Sequence, residues 1–225
     1  MNIYPAILSD SIHEVESQLE IAQSLDGVEV VQVDVLDGRF ADNLTVTPTD
    51  MVNLNLDSLQ LDFHLMVEEP LDFVHEILDC QSHLPIRGVI AHIERMSNQQ
   101  EYLNLVIDNK MKAGLSLDLY TPLEEIEEES FNKIELIQLM GVEAGFQDQQ
   151  FQQSIYDKIQ QLINMKLSRS LDFELIVDGG VKEELLGKFS LLGVDSVAIG
   201  SWLWKNENPQ QVVDAVINQE KAVTR

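Results

Sequence analysis

The segment VVQVDVLDGRF, residues 30–40, carries a carboxylate in the middle of an apolar, strand-like run. Successive side chains of a strand point to opposite faces, so Gln32 and Asp34 face one way and the valines between and beside them face the other. In a parallel sheet covered on both faces Asp34 would be buried, and a buried carboxylate is costly unless it is paired or binds a cation. If the sheet is covered in this way, the segment predicts acid–base or metal chemistry at Asp34.

Other polar side chains suited to the same chemistry stand near the ends of strand-like segments. They are Ser9 in IYPAILS, His64 in QLDFHLMV, His92 and Glu94 in GVIAHIE, and Asp178 in FELIVDGG. A single buried histidine is more often a hydrogen-bonded core residue than a ligand, and a single DGG sequence is more often a turn. Gathered around one site, however, two carboxylates and an imidazole would form a metal site or an acid–base pair.

The elements that would position these residues alternate along the chain. Eight strand-like segments are separated by helical patterns, which include residues 10–25, 70–80, 98–110, 149–165 and 209–219. The repeat of roughly 28 residues leaves room for a right-handed crossover between parallel strands. This predicts an α/β protein with one domain, residues 1–225, folded as a closed (β/α)8 TIM barrel with its site at the C-terminal ends of the strands. An open doubly wound sheet is the alternative, but no Gly-x-Gly-x-x-Gly follows the first strand.

Composition restricts the partners. The chain has 225 residues, of which 39 are acidic and 14 basic, and its formal charge of −25 argues against nucleic acid or an anionic membrane as a partner. Much of the acidic charge is interpreted as solvated surface, and the run LEEIEEES, residues 123–130, as the exposed face of a helix. The single cysteine, Cys80, excludes an intramolecular disulfide. The start MNIYPAILS lacks the features of a signal peptide, and no apolar run approaches membrane-spanning length, so a cytoplasmic protein is expected.

Several longer motifs occur in order along nearly the whole chain. They are PAILS, QVDVLDGRFADNLT, DFHLMVEEP, AHIE, KAGLSL followed by TP, GVEAGF, VDGGV and AIGSWLW. Together they resemble the ribulose-phosphate 3-epimerase family. The resemblance implies a TIM barrel isomerase of the pentose phosphate pathway, which converts D-ribulose 5-phosphate to D-xylulose 5-phosphate by moving a proton on the carbon next to a carbonyl. The expected partner is a small sugar phosphate, and a homo-oligomer is left open.

The resemblance also implies roles for individual residues. Asp34 and Asp178 would be the acid–base pair on opposite faces of the substrate, one removing a proton and the other returning one. With His64 they would bind a divalent metal ion: zinc, manganese, iron or magnesium. The implied substrate-binding residues are Ser9, His64, Met66, Met140, Gly145, Gly179, Gly180, Gly200 and Ser201.

Two departures from the family pattern affect the expected site. Gln32 stands where the family has a second histidine ligand, and an amide oxygen is a weaker donor than imidazole for zinc. Gln32 is therefore a weak fourth ligand at most, and the metal is expected to be weakly bound or absent. In the loop after the sixth strand, Gln147 and Asp148 replace two glycines, which restricts the backbone and adds a negative charge where a phosphate would bind.

These observations leave three hypotheses. The first is a divergent sugar-phosphate 3-epimerase, the second a barrel enzyme with a changed substrate, and the third a non-catalytic barrel kept as a binding or assembly protein. Retention of Asp34 and Asp178 favours an enzyme over a scaffold, and the altered loop distinguishes the first hypothesis from the second.

Overall fold

Eight parallel strands close into a barrel in the computed structural model, which describes residues 1–56 and 58–219. The strands are β1 (Asn2–Ile7), β2 (Val30–Leu36), β3 (Gln60–Met66), β4 (Ile86–His92), β5 (Lys112–Leu117), β6 (Leu136–Met140), β7 (Glu174–Asp178) and β8 (Ser196–Ile199). The predicted TIM barrel is confirmed, and an open sheet is excluded because β8 pairs with β1. Asp57 and residues 220–225 of the predicted domain lie outside the described residues.

Seven α-helices of the described residues pack around the barrel. They are α1 (Ile12–Gln23), α2 (Pro70–Cys80), α3 (Gln99–Asp108), α4 (Ile155–Arg169), α5 (Glu183–Leu192), α6 (Ser201–Trp204) and α7 (Pro209–Asn218). The helix predicted from residue 149 begins at Ile155 instead. The reason is that Gln149 donates its side-chain amide to the carbonyls of Glu143 and Phe146 and so closes the preceding loop. None of the helices within the described residues combines the length and apolar character needed to cross a membrane.

Within the described residues, two connections between strands form 3-10 helices and no α-helix, although an α-helix was expected in each. Residues Pro48–Met51 form one between β2 and β3, and Leu123–Glu125 and Glu128–Asn132 form two between β5 and β6. The interpretation of residues 123–130 as one exposed helix face is therefore wrong. Leu123 and Ile126 are buried, and their spacing of three suits the 3-10 turn, in which side chains at that spacing lie on one side.

The alternation in β2 has the predicted consequence. Val31, Val33 and Val35 belong to the large apolar core that the strands share with the surrounding helices, whereas Gln32 and Asp34 are buried among polar side chains. A separate apolar cluster fills the barrel and includes Tyr4, Ala6, Val30, Ile90, Leu136, Ile176 and Ala198. The barrel is thus a packed core, and its polar residues gather towards its ends.

Candidate active site

The C-terminal ends of the strands bring Asp34, His64 and Asp178 together. The β2–β3 register pairs Asp34 with His64, and Asp178 is the last residue of β7. His64 Nδ1 lies 2.9 Å from Asp34 Oδ1 and 3.7 Å from Asp178 Oδ2. All three side chains are buried, and one ligand atom from each lies within 4.8 Å of the others. Two carboxylates and an imidazole at this spacing fit a divalent cation.

Gln32 reaches the same point with its side-chain amide. Its Nε2 lies 2.8 Å from Asp34 Oδ1, 2.7 Å from Asp178 Oδ2 and 3.4 Å from His64 Nδ1. The nitrogen therefore bridges both carboxylates, as a cation would. Oε1 of Gln32 is buried without a hydrogen-bond partner among the described residues. Since an amide presents either a donor or an acceptor depending on its rotation, the unpartnered oxygen is available as a fourth ligand.

Burial and neighbouring charges shift the protonation of the cluster. Burial, reinforced by the negative charge of Asp34, raises the pKa of Asp178 to about 6. Burial alone would lower the pKa of His64, but the hydrogen bond to Asp34 and its charge outweigh burial, so that this pKa lies above its ordinary value. A proton-transfer pair needs one ionised and one protonated carboxyl group, and the raised pKa of Asp178 favours that division.

Two buried polar residues that the sequence analysis did not name complete the cluster. Gln138 Nε2 donates to Asp178 Oδ2 at 2.9 Å, and Ser116 Oγ lies 3.3 Å from His64 Nε2. Both residues are fully buried. Each is a polar residue inside an apolar strand, in LIQLM and KAGLSL respectively, which is the signal that had singled out Asp34.

His92 and Glu94 lie behind this cluster. His92 Nε2 is 3.2 Å from Ser116 Oγ, and His92 Nδ1 is 2.9 Å from Glu94 Oε2. Burial lowers the pKa of His92. Burial would raise the pKa of Glu94, but the hydrogen bond and electrostatic interaction with His92, together with hydrogen bonds from Thr121 and the backbone N–H of Asp118, outweigh burial, and the pKa of Glu94 falls to about 2. The pair is thus a neutral imidazole beside an ionised carboxylate.

A cavity opens at the C-terminal mouth of the barrel, beside the two aspartates. Among the predicted site residues, its lining includes Asp34, Met66, Met140, Gly145, Asp178, Gly179, Gly180, Gly200 and Ser201. His64 is fully buried and does not line the cavity. Ser9 also lies outside the lining, because its hydroxyl donates to Glu14 at 2.6 Å and accepts from the N–H of Ser11 at 3.1 Å. A substrate contact of Ser9 stays a prediction.

The backbone conformation of the turn after β7 explains why this turn contains two glycines. Gly179 and Gly180 have φ values of +92° and +67°, in the region that favours glycine. A Cβ atom at Gly179 would lie 2.5 Å from Val142 Cγ2, and one at Gly180 would lie 2.8 Å from the backbone nitrogen of Phe151. The backbone here therefore needs glycine for its own conformation, and a role in phosphate binding stays a prediction.

The negative charge of Asp148, in the loop between β6 and α4, has a partner. Lys205 Nζ lies 2.5 Å from Asp148 Oδ2. The neighbouring Gln147 donates its side-chain amide to the carbonyl of Leu8 at 3.1 Å. The two residues that replace glycines are therefore tied to other parts of the mouth, and the charge of Asp148 is countered by a lysine.

Comparison with known proteins agrees with this site. Residues 2–204 match the model of a family described as the ribulose-phosphate 3 epimerase family. The chain is 30% identical to the cytoplasmic isoform of ribulose-phosphate 3-epimerase from Oryza sativa subsp. japonica, over 95% of this chain and 92% of the relative. It is 26% identical to the ribulose-phosphate 3-epimerase of Bacillus subtilis, over 96% of this chain and 98% of the relative.

A solved structure shows the same fold at low sequence identity. Phosphoribosyl anthranilate isomerase from Thermus thermophilus matches with a TM-score of 0.63 and 13% identity, covering 99% of this chain and all of that one. This likeness concerns the barrel alone, whereas the sequence matches cover the motifs that carry Asp34, His64 and Asp178. The chain therefore belongs to the ribulose-phosphate 3-epimerase family, a family of metal-dependent isomerases.

Proposed function

We propose that this protein is a metal-assisted 3-epimerase of a ketose phosphate, with D-ribulose 5-phosphate and D-xylulose 5-phosphate as the interconverted pair. The observation that carries the proposal is the convergence of Asp34 and Asp178 on one cavity, with His64 beside them. A purely structural or binding barrel has no need of two neighbouring buried carboxylates, because their mutual repulsion and desolvation oppose folding. The names of the relatives support the choice of sugar phosphate.

The two aspartates perform the proton transfers in this proposal. Asp34 and Asp178 project from β2 and β7, which are not neighbours in the barrel, and both line the cavity. The ionised carboxylate removes the proton from the carbon next to the carbonyl. The protonated carboxyl group delivers a proton to the opposite face of that carbon, so the two groups exchange protonation states in each turnover.

The other residues of the cluster keep these two groups in position. Gln32 donates to both carboxylates and Gln138 donates to Asp178, which holds the carboxyl oxygens at the cavity floor. Asp34, His64 and Asp178 would hold the divalent cation, which when bound stabilises negative charge on the substrate oxygens. With its amide rotated so that the oxygen faces the cation, Gln32 would supply an oxygen in place of a second imidazole, and such a donor set favours manganese or magnesium more than a set with two imidazoles would.

The substrate phosphate would bind at the wall of the cavity formed by the turns after β7 and β8. Gly179 and Gly180 follow β7, and Gly200 and Ser201 follow β8, at the positions where TIM barrels commonly bind phosphate through backbone N–H groups. Lys205 is paired with Asp148, which also lines the cavity, so its positive charge is already countered by that carboxylate. We also infer a cytoplasmic location, as the name of the rice relative states for that protein. A homo-oligomer stays a prediction.

The test is a coupled assay of D-xylulose 5-phosphate formation with the purified protein. Metal is first removed with a chelator, and manganese, magnesium, zinc or iron is then added back singly. We expect turnover that is lost with the chelator and restored by at least one ion. The same preparation is assayed on unphosphorylated ketoses. Turnover of a free ketose without turnover of D-ribulose 5-phosphate would replace the proposed substrate, and no turnover with any ion would refute the activity.

A further inference from the structure

A chain of hydrogen bonds leads from Glu94 to the candidate metal ligand His64. Glu94 Oε2 lies 2.9 Å from His92 Nδ1, and His92 Nε2 lies 3.2 Å from Ser116 Oγ. Ser116 Oγ in turn lies 3.3 Å from His64 Nε2. His92, Ser116 and His64 are all fully buried. The proposed reaction itself assigns no role to Glu94, His92 or Ser116.

The carboxylate of Glu94, at the end of this series of hydrogen bonds, determines which group donates in each of them. Glu94 can only accept, and its second oxygen already accepts from the backbone N–H of Asp118 at 2.7 Å. The bond between Glu94 and His92 therefore uses the proton on His92 Nδ1, which leaves Nε2 of a neutral ring as an acceptor. Ser116 must then donate its hydroxyl proton to His92. The oxygen of Ser116 is left to accept from His64, so His64 carries a proton on Nε2.

The reverse direction is disfavoured by charge. It would require protons on both nitrogens of His92, which would make a buried imidazolium, and the ring centroids of His92 and His64 lie 5.1 Å apart. With the proton of His64 held at Nε2, its Nδ1 is the nitrogen that faces Asp34 and Asp178, at 2.9 and 3.7 Å. In the metal-free protein Nδ1 carries a second proton that it donates to Asp34, and a divalent cation bound between the two aspartates would take the place of that proton while Nε2 keeps its own.

We propose that Ser116 is a positioning residue: with His92 and Glu94 behind it, Ser116 holds the proton of His64 on Nε2 and presents Nδ1 to a divalent cation. Outer partners of this kind fix the tautomer and the ring orientation of histidines that bind metals. The inference rests on the metal site of the function proposed above, but it concerns metal affinity and not the identity of the sugar.

The test measures cobalt binding to metal-free protein by calorimetry. For Ser116→Ala we expect the Kd for cobalt to rise about ten-fold or more, in the range observed when an outer partner is removed. Ser116→Thr keeps the hydroxyl and should restore most of the affinity. Ser196→Ala is the matched control. Like Ser116, Ser196 is a fully buried serine in a strand, but its hydroxyl donates to Glu174 at 2.5 Å, away from the metal site. Its loss should leave the cobalt affinity unchanged.

A second variant tests the direction of the chain without altering Ser116. Glu94→Gln supplies a side chain that can donate to His92 Nδ1, which permits the reversed series of hydrogen bonds, in which Ser116 donates to an unprotonated Nε2 of His64. We expect weaker cobalt binding, and long-range nitrogen NMR should show protonation of His64 Nε2 in the wild type and partial loss of that proton in the variant. Thermal melting of each protein identifies any variant that fails to fold, and either Ser116→Ala or Glu94→Gln then suffices.

Failure of this inference differs from failure of the proposed function. Wild-type cobalt affinity in a folded Ser116→Ala or Glu94→Gln protein would overturn the role of the chain, even if the enzyme epimerises D-ribulose 5-phosphate. A wild-type protein that binds no cobalt would overturn it as well. Conversely, the expected affinity pattern in a protein without epimerase activity would support the role of Ser116 and refute only the reaction.

Discussion

Buried ionic clusters occupy both ends of the barrel interior, and they differ in where their positive charge comes from. At the N-terminal end, Arg87 Nε lies 2.9 and 3.1 Å from the two carboxylate oxygens of Asp62, and its guanidinium group lies over the ring of Tyr4. At the C-terminal end, Asp34 and Asp178 form ion pairs with His64 alone, within the part of the chain that the structure describes. One cluster contains its own arginine, and the other does not.

This difference separates a structural cluster from a functional one. A bidentate arginine satisfies a buried carboxylate without any ligand, so the Asp62 cluster is complete when the chain folds. Two neighbouring carboxylates that receive only amide and imidazole hydrogen bonds still need a cation or a proton to balance their negative charge. Both clusters are buried. What distinguishes them is whether the protein supplies a full positive charge, and the incomplete cluster lies at the barrel end where TIM barrel enzymes have their active sites.

The largest effect should come from the incomplete cluster. Asp178→Asn retains the shape of the side chain but cannot accept a proton, so we expect kcat to fall by about a thousand-fold, within the usual range for loss of acid–base catalysis. Asp34→Asn should have a similar effect. The coupled epimerase assay measures the loss, and unchanged circular dichroism confirms the fold. A near wild-type rate in either variant would refute the assignment of the pair.

Asp62→Asn, at the complete cluster, should lower stability instead of activity. It removes the bidentate partner of Arg87 and leaves this side chain only Glu174, at 3.8 Å, as a carboxylate partner, so we expect the free energy of unfolding to fall by about 3 kcal/mol. Urea unfolding measures this change, and kcat per folded molecule should stay close to wild type. If Asp62→Asn abolished turnover without loss of stability, the division between a structural and a functional end would not hold.

Gln32→His should shift the metal preference of the cluster formed by Asp34, His64 and Asp178 towards zinc. Imidazole is a better ligand for zinc than an amide oxygen, and we expect the Kd for zinc to fall about ten-fold. Calorimetry of the metal-free protein measures this change. Magnesium titrated in parallel is the control, because it prefers oxygen ligands and should gain nothing. Equal zinc affinity in both proteins would mean that Gln32 does not contribute to the metal site.

The smallest effect is expected at the loop between β6 and α4. Replacing Gln147 and Asp148 together by glycine removes a negative charge near the proposed phosphate site and releases Lys205 from its ion pair. For D-ribulose 5-phosphate we expect KM to fall a few-fold, since an exposed charge pair contributes little in water. Asp148→Asn alone separates the effect of charge from that of backbone freedom. A higher KM for the double variant would indicate that Asp148 contacts the substrate directly.

Local sequence was sufficient to assign side chains to a face of the sheet. The alternation in VVQVDVLDGRF places Asp34 inside the barrel because the pleat has a period of two and parallel strands are covered on both sides. The same reasoning applied to LIQLM and KAGLSL would have found Gln138 and Ser116. Eight strand segments spaced for parallel crossovers were enough to predict the closed barrel, although they did not reveal that the described residues of two connections form 3-10 helices and no α-helix.

Only the tertiary structure decided which of the inward side chains meet. In the sequence, His64 and His92 are equivalent strand histidines, but register pairs Asp34 with His64 and pairs His92 with Ser116, so that only His64 reaches the aspartates. The sequence could not predict the hydrogen bond from Ser9 to Glu14 or the bridging position of the Gln32 amide either. The physical reason is that alternation along a strand is a local property, whereas register and barrel closure depend on pairing between segments far apart in the chain.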